Sequence, residues 1–296
     1  MRHLKLLHQV SEIARAGSIR QAADNMNITA SAMNRKIQDL EQEIGMPIFE
    51  RRPRGVKLTA AGELFVRYAR SQIADADRMN SQFEDLRGLR RGPVNIACSQ
   101  ALALDFLPSQ IGQFRQDNPR LVFNLKVMDH NAAINSLIDY DVDLALVYRA
   151  TIRPAIRIVK TAPQRLTAIL RKDHPLAAKQ SLRLSDFVGL PLALPDQTLS
   201  GRQLIDEISA RRDFHLNIMA ETNSFEMLRG LVLYSNMISF QIAIGAPKEE
   251  YGADITARPI DERDIPSSDL SLCQLRDRIL PVAAASFATQ LMKNLY

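Results

Sequence analysis

SIRQAADNMNITASAMNRKIQDLEQEIG, residues 18–45, holds two helical patterns with separate start signals and a break of a few residues between them. Ser18 and Gln21 have capping-box spacing, in which the hydroxyl accepts from the Gln21 N–H and the Gln21 side chain reaches back to the Ser18 N–H. Ile19, Ala22, Ala23 and Met26 then recur at helical spacing, and the small Ala22–Ala23 pair admits a second helix at close range. Two asparagines interrupt the pattern at residues 25–28, and Thr29 supplies a second N-cap. Met33, Ile37, Leu40 and Ile44 fall on one face of the second helix, which Gly45 terminates. The opposite face carries Ala30, Ser31, Asn34, Arg35 and Gln38. It suits a DNA major groove, where an Asn bonds bidentately to adenine and an Arg to guanine or phosphate. An αα-hairpin with a solvated polar face has the same pattern, so the neighbouring sequence has to decide.

Upstream, Leu4, Leu7, Val10, Ile13 and Ala14 space out an amphipathic helix ending near Gly17, which packs on the pair. Downstream, MPIFERRPRGVKLT reads as a short strand at residues 48–50, a turn at Pro53, Arg54 and Gly55, and a second strand at residues 56–58. Three helices and a hairpin make a winged helix-turn-helix. Four cations, Arg51, Arg52, Arg54 and Lys57, crowd the wing and read as phosphate contacts. Thr59 caps a helix that runs without proline to about Leu86, on the order of 40 Å at ~1.5 Å per residue. Its Ala69, Ile73, Ala76, Phe83 and Leu86 approximate a coiled-coil seam with polar Asn80 in it, which implies a dimer. Gly88 and the residues 90–93 close the linker.

Charge supports the division. Residues 1–91 contain 16 Lys+Arg against 11 Asp+Glu, a balance of +5, while residues 92–296 contain 22 of each. A basic module on a neutral body points to a polyanion as partner of the first part only. With 46% hydrophobic and 24% charged residues the 296-residue chain is globular, and no stretch reads as a membrane span. The basic N-terminus has its apolar run cut by His8, Gln9 and Glu12, so it is not a signal peptide, and a cytoplasmic location is expected. Cys98 and Cys273 are too few for a disulfide framework and read as free buried thiols; Cys98 has no basic cluster to make it a redox sensor.

From Pro93 strands and helices alternate. Strands are read at residues 94–99, 121–127 and 141–148, with helices at 102–118 and 132–140 between them, implying a parallel α/β sheet. Strands at 165–170, 190–194, 237–242 and 270–275, with helices at 200–212 and 224–234, repeat the pattern as a second lobe. Ligands are expected at strand carboxyl ends in the cleft between lobes.

Over its full length the sequence resembles the LysR-type transcriptional regulators. The resemblance is carried by AGSIRQAADNMNITASAMNRKIQDLEQEIGMPIFERRPRGVKLTAAG (residues 16–62), by RKDHPLA (171–177) with LSDF after it, and by NSFEMLRGLV (223–232). It implies an α/β fold class with a winged helix-turn-helix at 1–58, a dimerising linker helix at 59–91, and a two-lobed effector domain similar to periplasmic binding proteins. Lobe I is expected at 92–161 and 268–296 and lobe II at 162–267, in a homotetramer built from linker-helix dimers. By position Arg35 matches the basic residue of the family's recognition helix, and Ser31 a phosphate- or base-contacting one; Ala30 stands where Gln is common and Asn34 where Ser is usual. The expected DNA contacts are Ser18, Thr29, Ala30, Ser31, Asn34, Arg35, Gln38, Arg51, Arg52, Arg54 and Lys57. Family position places the effector on Ser99, Gln100, Asn131, Tyr148, Gln197, Thr198 and Ser200. Ser99 and Gln100 open a helix, where backbone N–H groups and the dipole favour an anion such as a carboxylate. Tyr234, Ser235, Asn236 and Met237 replace a run that is often glycine-rich in the family.

Enzyme signatures are missing: there is no GxSxG, P-loop, GxGxxG or HExxH, and His3, His8, His130, His174 and His215 show no metal-ligand spacing. The expectation is a DNA-binding regulator controlled by a small molecule, without cofactor, catalysis or membrane contact. A secreted solute-binding protein shares the two lobes but not the basic module, and a regulator with a collapsed, empty cleft remains an alternative.

Overall fold

A computed structural model describes residues 2–86, 92–151, 153–211, 215–247 and 254–295, and the chain divides into two compact units, Met1–Leu89 and Arg90–Tyr296. The linker closure read at residues 88–91 and the helix end at Arg212 lie outside the described residues.

In the first unit α1 (Arg2–Ala16), α2 (Ile19–Asn25) and α3 (Ala30–Ile44) are followed by β1 (Phe49–Arg52), β2 (Gly55–Leu58) and the 27-residue α4 (Ala60–Leu86). One core unites them: Val10 and Ile13 of α1, Ala22 and Ala23 of α2, Met33, Ile37 and Leu40 of α3, then Ile48, Phe49 and Val66. Ile44, expected in that stripe, is 39% exposed because the helix has reached its end at Gly45, whose φ of 74° closes it. The break after α2 has a specific cause. Asn27 takes φ 54°, Asn27 N–H bonds to Asp24 O and Ile28 N–H to Ala23 O, a Schellman arrangement with asparagine in the left-handed seat glycine usually fills. Only half of the expected capping box forms. Ser18 Oγ accepts from Gln21 N at 3.4 Å, but the Gln21 amide donates onward to Asn25 Oδ1 instead of back to Ser18.

The helix α4 corrects the expected seam. Where it lies on α1, Val66 is 3% exposed and Ala69 fully buried within the chain itself, so the seam's first member already has its partner. Apolar surface left over begins further along, at half-buried Ile73 and Ala76, and is widest at Phe83 and Leu86, 51% and 84% exposed.

The second unit opens with β3 (Pro93–Cys98), a 3-10 turn at Gln100–Leu102, α5 (Phe106–Asp117), β4 (Val122–Val127), α6 (His130–Ile138), β5 (Leu144–Tyr148) and β6 (Ile156–Gln164). β7 (Leu166–Arg171), β8 (Leu192–Pro195), α7 (Ser200–Arg211), β9 (Ile218–Thr222), α8 (Phe225–Ser235), β10 (Ser239–Ile242) and β11 (Ile255–Pro259) follow, and β12 (Ser268–Leu275) and α9 (Val282–Asn294) end it. The helix expected at 102–118 starts late because the chain first makes the 3-10 turn and a bend before Phe106.

The first lobe's sheet has the order β4-β3-β5-β12-β6 and is mixed, not parallel as the alternation suggested: β12 runs antiparallel to both neighbours. The second lobe pairs β10-β7-β11 antiparallel and β8-β9 parallel, with Leu192 and Ile238 bridging them. The chain passes between lobes twice, at Arg165 between β6 and β7 and again between β11 and β12, so a short two-stranded connection joins the lobes.

Candidate functional site

In the first unit the polar face of α3 is open. Thr29, Ala30, Ser31, Arg35 and Gln38 are exposed and Asn34 is half-buried. Thr29 Oγ1 accepts from Ala32 N at 3.3 Å and from Ser31 Oγ at 3.3 Å, which fixes the first turn. Asn34 is not idle: its Oδ1 accepts from Arg51 Nη2 at 2.8 Å, tying the wing to the helix. Arg52 shares a 3.3 Å ion pair with Glu50, whereas Arg54 and Lys57, both exposed, have no side-chain partner among the described residues. Ser18, half-buried, serves as the α2 cap.

What holds the wing was not visible as function. Glu41, on α3, accepts the Ile48 and Phe49 N–H groups on one carboxylate oxygen at 2.7 and 3.0 Å. Thr59 Oγ1 donates to Pro47 O at 2.6 Å and accepts from Gly62 N at 2.9 Å. The Val56 N–H bonds to Gly17 O at 2.8 Å, and Gly55, at φ 124°, lies so near that a Cβ there would stand 2.2 Å from the same oxygen. Only glycine fits, for conformation and for space. Cations on this hairpin are therefore presented at a fixed place beside α3.

In the second unit the cleft between lobes holds a partly open cavity of about 30 Å³, room for roughly two waters. Ser99, Tyr148 and Ser200 of the expected set line it. Gln100 does not; its Oε1 accepts the Phe225 N–H across the cleft at 2.9 Å, filling the first amide of α8. Asn131, Gln197 and Thr198 are exposed and outside the lining: Asn131 takes a 3.3 Å hydrogen bond from Thr151, Thr198 bonds Asp196, and the Gln197 carbonyl accepts from Gln203. Further inter-lobe ties are Ser200 Oγ donating to Tyr148 O at 2.9 Å and a 3.0 Å pair between Arg149 and Glu207.

Sequence reasoning missed Asp129, His130 and Gln241 in the lining, beside apolar Leu166, Phe225, Phe240 and Ile242. Asp129 caps α6 by accepting from the Asn131 and Ala132 N–H groups. His130 is 9% exposed, and its Nδ1 is buried with no hydrogen-bond partner among the described residues. Burial holds its imidazole below the ordinary histidine value, Asp129 opposing and the Arg149 charge adding to the effect. Burial likewise pushes the Tyr148 phenol up, with Ser268 and Arg149 pulling the other way. No Lys or Arg is in the lining, and the buried Arg202 nearby is taken by Asp206, Glu221 and Pro195 O. The N-termini of α6, α7 and α8 all reach the cavity, through His130, Ser200 with Gly201, and Phe225. Cys98 and Cys273 are buried and pushed up to about 11 and about 12 by that burial, so neither is a reactive thiolate at neutral pH. Among the described residues no cluster of three or more His, Cys, Asp or Glu is placed to hold a metal, and no helix is long and apolar enough to cross a membrane.

Residues 2–63 match the bacterial regulatory helix-turn-helix protein, lysR family, and residues 87–295 match the LysR substrate binding domain. The chain belongs to the LysR family of transcriptional regulators. This LysR regulator is 30% identical over 239 residues, 79% of either chain, to the probable RuBisCO transcriptional regulator of Cyanidioschyzon merolae. Its fold is shared with a full-length OxyR variant from Pseudomonas aeruginosa, at a TM-score of 0.71 and 17% identity, covering 99% of this chain and 94% of that one. Full-length CbnR complexed with its target DNA aligns at a TM-score of 0.57 and 20% identity over 99% of both chains. The LysR regulator is thus a DNA-binding protein with a substrate-binding domain, and not an enzyme.

Proposed function

We propose that this LysR regulator reads bases with the exposed face of α3, from Thr29 to Gln38, grips flanking phosphates with the wing, and changes its hold on DNA when a small carboxylate enters the cleft. In this reading residues 1–58 form the DNA-binding module, 59–91 the dimerising linker, 92–161 with 268–296 the first lobe and 162–267 the second. The observation that carries the effector assignment is the meeting of three helix N-termini, α6, α7 and α8, on one partly open cavity. Partial positive charge and N–H groups at helix starts suit an anion, and neutral donors suit a ligand that must be released. The Ser200 and Gly201 N–H groups, first in α7, have no partner among the described residues. A bound carboxylate needs more room than about 30 Å³, so entry parts the lobes at the Gln100–Phe225 and Ser200–Tyr148 contacts.

Two copies join through α4 beyond Ala69, and pairs of dimers through the lobes complete a tetramer in the cytoplasm. Edge strand β4 supports the second contact, since it exposes Val122, Leu125 and Val127 by 46–58%. Control then follows from differential affinity: a tenfold change in operator binding needs roughly 1.4 kcal/mol of coupling between cleft and DNA. The test is a screen of small carboxylates by thermal shift on the full chain, with operator binding measured beside it. A carboxylate that raises the melting temperature and shifts operator affinity supports the reading; if uncharged metabolites alone do so, the carboxylate assignment fails.

A further inference from the structure

His130 sits at the first position of α6, lines the cavity between the lobes, and is more than nine-tenths buried with its Nδ1 bonded to nothing among the described residues. A buried polar atom without a partner is costly, and among the described residues two side chains of this wall carry one, His130 at Nδ1 and Tyr148 at its hydroxyl, so the wall holds hydrogen-bonding capacity that a ligand can use. The lining offers no cation to an incoming carboxylate, and the nearby guanidiniums are engaged, Arg202 by Asp206 and Glu221 and Arg149 by Glu207. Imidazole is the one group in the wall able to become a cation on demand. Resting on the carboxylate reading above, we infer that His130 is the effector-contacting residue that binds the carboxylate as an imidazolium, so that effector binding takes up one proton.

The groups facing His130 are consistent with this. Asp129, at the cap of its own helix, favours the charged imidazole, while Arg149, following β5, disfavours it; Glu207 of α7 partly neutralises Arg149 across the cleft. Without an anion beside it, burial favours the neutral ring. An anion set against it adds a second counter-charge to that of Asp129 and raises its affinity for a proton. The sign follows by linkage: with the histidine pKa low when free and higher when bound, affinity for the carboxylate rises as pH falls between those two values and is flat outside them.

Benzoate is a suitable probe, its ring matching Phe225, Phe240 and Leu166. Isothermal titration into the full-length protein at about pH 5.5, 6.5 and 7.5, in buffers of different ionisation heat, should show uptake approaching one proton. Affinity should change by up to about tenfold per pH unit within the window. H130Q keeps a hydrogen-bonding side chain but does not titrate, and should bind benzoate more weakly with no proton uptake and no pH slope, while ligand-free operator binding is unchanged. Should H130Q fail to fold, the His130 imidazole resonances of the wild type serve instead, moving to their charged positions at benzoate saturation. Benzoate binding without proton uptake, or with His130 still neutral, overturns the inference and leaves the cleft assignment standing. If benzoate, acetate and succinate all fail to bind wild type, the carboxylate reading itself falls and takes this one with it.

Discussion

Under the proposed division of labour Asn34 and Arg54 have different roles on DNA, and the difference is measurable. Arg54 is exposed at the wing tip without a side-chain partner among the described residues, so Arg54→Ala should weaken binding to every sequence and reduce the slope of log affinity against log salt by about one. Asn34 faces outward from α3 but is held by Arg51, so Asn34→Ala should relax choice at one base position at about 1–3 kcal/mol and also release a wing cation. Fluorescence anisotropy with operator and random duplexes over a salt series separates the two; equal losses on both duplexes for both variants would refute the division of labour. Gly55 is a test of geometry alone. Gly55→Ala forces a Cβ against Gly17 O in a left-handed conformation, and should lower the stability of the DNA-binding unit by roughly 1–3 kcal/mol in thermal or urea unfolding.

At the scale of elements α4 divides into a half buried in its own chain and a half whose apolar residues are half-buried or exposed, the half assigned above to the proposed dimer. If the proposed dimer forms there, Ile73→Glu, beyond the buried Ala69, should put a charge in its interface and give monomers in sedimentation with the module still folded, whereas an unchanged oligomer would refute that interface. Ala69→Glu should instead unfold the module. The helix pair, the wing and the linker helix were legible because each has its own local chemistry: caps at Ser18 and Thr29, left-handed Gly45, and strand residues flanking Pro53–Gly55. The strands that escaped notice, β6, β9 and β11, are edge strands; β6 carries Pro163 and β11 Pro259, residues an edge tolerates and a central strand does not. For α9 the signal was present, in Ala284, Phe287, Ala288 and Leu291 on one buried face. The cleft was hardest, since Asp129, His130 and Gln241 meet Ser99 and Ser200 only through folding, and nothing in the residues flanking them marks which side chain faces a partner lobe.

For the whole molecule, pH and chain order have consequences. His130 and His174 are both held below the ordinary histidine value by burial, so the unfolded chain binds protons more readily than the native one there. Stability should therefore rise with pH and fall as pH drops through about 6.5. At lower pH Glu12, depressed by Arg15, and Asp186, which is held down by Lys179 against its burial, act in the same direction, their contribution being lost as they protonate. Melting curves from pH 7.5 down to 5 should show a monotonic decline; a flat profile would mean those histidines titrate in the fold as they do in the unfolded chain. Chain order acts through β12, which lies between β5 and β6 and contributes the antiparallel rungs on both sides. A growing chain that has left the ribosome as far as β11 thus holds a finished DNA-binding unit and a first lobe whose outermost strand has no neighbour to pair with. Translation stopped early in that interval would leave a folded DNA-binding unit attached to an unfinished substrate-binding domain, and limited proteolysis of a chain ended before Ser268 should leave residues 2–86 as the resistant core.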